Sequence, residues 1–149
     1  DGAYAARPFL LPVIKMGIVV VSRLRKDACL HDLPPEGSHH RRIYGKNRIS
    51  LAKRAGSKQG WSTITYLCRG QKVTRQYKTF LATSKLVSRA IRVVIVRFED
   101  GGWAPYFCTD RSATVADILG AVGARWAIEE HFHDVKEIWG AGQQQVRNV

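Results

Sequence analysis

With 149 residues, 45% of them hydrophobic, the chain is long enough to bury one core, and a single domain is the expectation. Three cysteines, an odd number spread over Cys29, Cys68 and Cys108, argue against a disulfide-stapled scaffold, and the longest apolar run, 8–21, is broken by Pro12 and Lys15 and too short for a bilayer. The formal charge of +12 points instead to a polyanionic partner, and the cytoplasm is the expected compartment.

The chain opens on Asp1-Gly2-Ala3-Tyr4 rather than Met and ends soon after Gln143-Gln144-Gln145, which reads as a piece of a longer protein. Asp1 is expected at the carboxyl end of a strand, although an N-terminal Asp-Gly by itself is an ordinary turn. Pro8 suits the first turn of a short helix through Phe9, Leu10, Leu11, Val13 and Ile14, with Pro12 bending it and Gly17 stopping it. Ile18–Val21 is an unbroken β-branched run continuing into Ser22-Arg23-Leu24-Arg25. Entered from a helix, it fits a buried parallel strand in an α/β sheet.

Leu33-Pro34-Pro35-Glu36-Gly37-Ser38 is a break. After it, residues 39–60 show neither strand nor helix period, so a loop is expected, with at most a weak helix near Ser50–Arg54, poorly ordered without a partner. Between Glu36 and Glu99 there is no acid, while 15 of the 24 Lys and Arg fall there, among them Arg41, Arg42, Lys46 and Arg48. That segment carries +15 and the rest of the chain −3. Such a block repels itself until a polyanion neutralises it, which favours nucleic acid bound through its phosphates. An anionic membrane is the alternative, but no amphipathic anchor helix accompanies the block.

Four strands then follow at regular spacing: Trp61–Cys68, Val73–Leu81, Arg89–Phe98 and Trp103–Cys108. Arg69-Gly70 and Glu99-Asp100-Gly101-Gly102 mark turns, and Pro105 suggests that the last strand lies at an edge. An antiparallel sheet is expected, with Trp61, Tyr66, Tyr77 and Trp103 packing it rather than offering stacking surfaces to bases. Thr114-x-x-Asp117 has the form of a helix start, and Val115, Ile118, Leu119 and Val122 form its buried stripe, with Gly120 and Gly123 allowing close approach. A second helix over Arg125–Trp139 would place Arg125, Glu129 and Lys136 on one stripe beside the apolar row Ile128, Phe132, Val135 and Trp139. An i,i+4 pair such as Arg125 and Glu129 is more often a solvated helix face. His131 and His133 point to different sides of such a helix, and Cys29-x-His31 with His39-His40 matches no zinc spacing.

The arrangement Arg125-x3-Glu129-x6-Lys136 resembles the signature helix of insertion-sequence DDE transposases, Tyr-x2-Arg-x3-Glu-x6-Lys, with Val122 standing at the tyrosine position. The opening Asp-Gly-Ala-Tyr agrees with the same family. The resemblance implies an α/β fold: a partial RNase H-like core over 1–33, a basic antiparallel β-sheet inserted over 34–110, and C-terminal catalytic helices over 111–149. It implies that Asp1 and Glu129 are catalytic ligands of Mg2+, that Arg125 and Lys136 face DNA, and that the family's first Asp lies upstream, leaving this chain inactive alone. Arg41, Arg42, Lys46 and Arg48 would contact the DNA backbone. The implied activity is metal-dependent cleavage and strand transfer at transposon ends by a DNA-bound homodimer, away from any membrane. Two other classes remain open: a non-catalytic nucleic-acid-binding module, and an RNase H-like nuclease without strand transfer.

Overall fold

The β-branched run that begins at Arg89 lies in the middle of a seven-stranded antiparallel sheet in the computed structural model, which describes residues 6–37 and 42–124. In chain order the elements are α1 (Arg7–Lys15), β1 (Val21–Arg23), β2 (Leu30–His31), β3 (Arg48–Ile49), α2 (Leu51–Gly56), β4 (Ser62–Cys68), β5 (Gln71–Ser84), β6 (Arg89–Arg97) and β7 (Trp103–Cys108). Residues 115–124 are helical. The strands run β1-β7-β6-β5-β2-β3 across the sheet, and β4 pairs with the first half of β5. The α/β class and the antiparallel sheet followed by a helix are as expected.

Strand β6 is buried on both faces over Val93–Val96, which explains why its sequence is a continuous apolar run and not an alternation. Its neighbours divide by parity. Phe80 and Ala82 of β5, Ile91, Val93 and Ile95 of β6 and Phe107 of β7 face a core closed by Leu10 of α1 and Leu51 of α2. Tyr77, Val94, Val96, Ala104, Tyr106 and Cys108 face the opposite way, against Ile118 and Leu119 of the 115–124 helix. The two-residue period of a strand thus produces two cores from one sheet. The four aromatic residues pack as expected: Trp61 and Trp103 against the first core, Tyr66 and Tyr77 against the second.

Local signals explain the boundaries. Pro8 lies in the first turn of α1, and Gly17 follows its C-cap at φ +79, donating to the Ile14 carbonyl at 2.9 Å. Arg69 and Gly70 both have positive φ, 55° and 76°, as a tight hairpin with the twist of its strands requires. Thr114 Oγ1 accepts the Asp117 amide at 3.1 Å, the expected cap of the last helix. Its glycines differ, for a Cβ at Gly120 would meet nothing within 4 Å, whereas one at Gly123 would lie 3.0 Å from the Leu67 carbonyl oxygen.

Three expectations change. The run from Ile18 is not a buried parallel strand. Ile18 and Val19 are 50% and 57% exposed, and β1 pairs antiparallel with β7, Val21 opposite Cys108. An apolar β-branched run carries no information about the direction of its partner. Strand β7 is not at an edge either, since β1 and β6 flank it. Pro105 is accommodated because β1 pairs only with residues 106–108, after which the Leu24 amide still reaches the Pro105 carbonyl at 2.9 Å. The amide and carbonyl of one strand residue point to the same side, so the missing donor faces β1 where that ladder ends. Finally, the stretch expected as loop holds the strand β3, while α2 over Leu51–Gly56 is the short helix expected near Ser50–Arg54. Two-residue β2 and β3 are too short to show a period.

Candidate nucleic-acid interface

The basic loop leading into β3 is organised by one acid. The Asp32 carboxylate accepts the Asn47 amide at 3.1 Å and the Asn47 Nδ2 at 3.0 Å. The Asp32 backbone accepts from Gly45 N at 2.9 Å and donates to the Asn47 carbonyl at 3.0 Å. Any side chain at residue 45 would collide, because a Cβ there would lie 1.7 Å from Asp32 Oδ1. Thr83 holds the assembly from β5, its hydroxyl donating to the carbonyls of Asp32 at 3.0 Å and His31 at 3.3 Å. Lys46 and Arg48 are exposed on this clamped turn, and exposed Arg42 donates to the Tyr44 carbonyl at 3.3 Å. Asp32 lies outside the acid-free interval, and no local motif singled it out. Its part follows from the pairing of β2 with β3.

Helix α2 carries the basic block onto one face of the sheet. Ser50 caps it by accepting the Lys53 amide at 3.3 Å. Its other end is pinned from β5 and from Trp61, the residue before β4. Lys78 Nζ donates to the Arg54 and Ser57 carbonyls at 2.7 and 3.0 Å, and Trp61 Nε1 donates to the same Ser57 carbonyl at 2.8 Å. A cation on terminal helix carbonyls also opposes the helix dipole. Around this junction cations lie over rings: Arg54 over Phe80 at 4.1 Å, with Lys78 and Arg97 over Trp61 at 4.7 and 5.6 Å. Lys26 lies over Trp103 at 4.7 Å.

Cations on the other face are engaged differently. Arg92 donates through Nε and Nη2 to the Arg111 carbonyl at 3.2 and 3.1 Å, and Arg75 stands 3.7 Å from Glu99 and over Phe98. Here a cavity of about 300 Å³ is lined by Tyr66, Cys68, Arg75, Phe98, Tyr106 and Val122, among others. Burial, before any charge nearby, pushes the Tyr66 and Tyr106 phenols and the Cys108 thiol above their ordinary values, so all three are neutral at physiological pH. Asp110 is a turn acid whose carboxyl is lowered below its ordinary value by the hydrogen bonds it accepts from the Ser112 hydroxyl and amide.

Of the residues singled out in the sequence, Arg42 and Lys46 lie on the segment before β3 and Arg48 in β3, all three exposed. Asp1, Arg41, Arg125, Glu129 and Lys136 lie outside the described residues, as do His39, His40, His131 and His133. Among the described residues no group of three His, Cys, Asp or Glu could hold a metal ion, and no helix is long and apolar enough to cross a membrane. The residues that sequence reasoning did not single out are Lys53, Arg54, Lys78 and Arg97, whose common face depends on strand register.

Compared with protein families, the chain matches over residues 1–149 a model described as a transposase DDE domain. Neither the curated proteins nor the solved structures compared with it contain a match.

Proposed function

The chain belongs to the transposase DDE-domain family, and from that premise we propose that it catalyses, within an insertion-sequence transposase, metal-dependent DNA cleavage at transposon ends and joining of the freed 3′-hydroxyl to target DNA. The observation that carries this reading is a family match extending over all 149 residues, signature residues included. The +15 segment supports DNA as the partner, because phosphate neutralisation and counterion release supply most sequence-independent affinity. The half-exposed Ile18 and Val19 beside β1, at the end of the sheet, support a core in which a further strand lies alongside.

Asp1 and Glu129 are the proposed Mg2+ ligands. The donor chemistry fits, since hard divalent cations take carboxylate oxygens and no imidazole or thiolate is required. When bound, a pair of such ions would neutralise charge on the attacking and leaving oxygens of an in-line displacement. The protein's own share is to hold the DNA. Arg125 grips a phosphate or orients Glu129 through its paired donors, and Lys136 supplies a second cation. Arg41, Arg42, Lys46 and Arg48 contact the DNA backbone. The acting species is a DNA-bound homodimer in the cytoplasm.

Asp1→Asn and Glu129→Gln in the intact transposase should each reduce cleavage of a transposon-end duplex to background while leaving duplex affinity unchanged. Mg2+ should raise the melting temperature of the parent protein and not of either variant. Undiminished cleavage by both variants would remove them from the catalytic role and leave the binding-module reading. Cleavage without joined product would assign a nuclease.

A further inference from the structure

The cations that lie over rings on the α2 side of the sheet form a row. Arg54 sits over Phe80, Lys78 lies two residues earlier on β5, and Arg97 stands opposite Gln76, two residues earlier again. Positions i, i+2 and i+4 of a strand share one face, about 6.7 Å apart. Arg54 over Phe80 and Arg97 opposite Gln76 are therefore two such steps apart, about 13 Å along β5, which is close to four phosphate steps of about 3.4 Å of axis each along one strand of a duplex. Nearby acids are engaged elsewhere: Glu99 is close to Arg75 on the opposite face, and Asp100 accepts the Gly102 amide of its own turn.

The aromatic rings decide what the row can do. A guanidinium stacked on a ring retains its charge and its outward N–H donors, while the ring restricts its rotamers. Arg54 and Arg97 are exposed, so those donors face solvent. Lys78 is different, for its ammonium is tied to the Arg54 and Ser57 carbonyls and fixes where α2 sits. Trp61 is half-buried, carries two cations and donates its indole N–H to the Ser57 carbonyl. It is a support for charge and not an open platform for a base.

We infer that this face is a second DNA-docking track, separate from the Arg42–Arg48 loop, on which Arg54 and Arg97 take the phosphodiester backbone of one strand without reading its sequence. Phe80 and Trp61 hold the two guanidinium groups, and Lys78 is a positioning residue. The identity of the polyanion as DNA rests on the transposase reading.

The test measures the affinity of the 149-residue chain for a fluorescein-labelled duplex of mixed sequence as a function of KCl. Each lost phosphate contact should lower the slope of log K against log[salt] by about 0.9, so Arg54→Gln with Arg97→Gln should lower it by about 1.8. At about 0.1 M salt, that corresponds to roughly 60-fold weaker binding. The double variant with Lys at both positions keeps the charges and should keep the slope. A wild-type slope in the Gln pair would overturn the proposal, as would a Lys pair as damaged as the Gln pair, since ring packing alone would then explain the contacts. Tighter binding to phosphatidylserine vesicles than to duplex would overturn it too. In the intact transposase, cleavage lost in Glu129→Gln with the slope intact separates the catalytic reading from this one, which would fail alone if only the slope prediction failed.

Discussion

On the α1 and α2 side of the sheet, Leu10, Leu30, Leu51, Ile91, Val93, Ile95 and Phe107 pack hydrocarbon on hydrocarbon. On the helix side the same strands present Tyr66, Tyr77, Tyr106 and Cys108 to Ile118 and Leu119. The first face is rimmed by Arg54 and Arg97, which lie over rings and stay exposed, whereas on the second Arg92 is tied to the Arg111 carbonyl and Arg75 stands near Glu99 as well as over Phe98. The difference shows how one sheet can separate two tasks. A core of aliphatic side chains and Phe107 anchors a surface that displays charge, while a core containing phenols and a thiol seats the 115–124 helix.

The largest expected effect breaks the comparison at its centre. Phe107 is fully buried and packs on the first face only, so Phe107→Ala should cost about 3–5 kcal/mol in urea unfolding. Both faces should melt together, because they share β6 and β7. A variant that lost protection on one face alone, measured by amide exchange, would show that the two cores unfold independently. Next, Gly123→Val should cost about 1–3 kcal/mol by pressing its side chain on the backbone of residues 67–68. Exchange should rise first in the 115–124 helix. An unchanged stability would mean that the helix shifts without penalty.

The smallest effect distinguishes the faces by pH. Tyr66, Tyr106 and Cys108 all lie on or beside the helix side, and burial raises each above its unfolded value. A raised pKa gives stability that is fully present below the unfolded values, about 8.5–10, and is lost as pH rises through the folded ones. The melting temperature should therefore be level near neutrality and fall in alkali, with exchange rising on the helix side first. Tyr106→Phe should blunt the fall. An alkaline loss led by the α2 face would contradict the assignment.

Much of this was legible in the chain. The four long strands and their turns followed from alternation, from the β-branched run of β6 and from Arg69-Gly70 and Glu99–Gly102, and the last helix from Thr114 and its apolar stripe. The short β2 and β3 were not, and neither was the clamp of Asp32 on Asn47, which joins residues 15 apart. Pro105 misled because a missing amide matters only on the side where a ladder continues.

Periodicity, turn chemistry and the acid-free interval are properties of neighbours along the chain, so sequence alone determined the type of the long elements, the antiparallel sheet and where positive charge concentrates. Strand order, the antiparallel pairing of β1 with β7 and the gathering of Arg54, Lys78 and Arg97 on one face were decided only by tertiary structure. Hydrogen-bond ladders join residues far apart in the chain, and a β-branched strand accepts a partner in either direction.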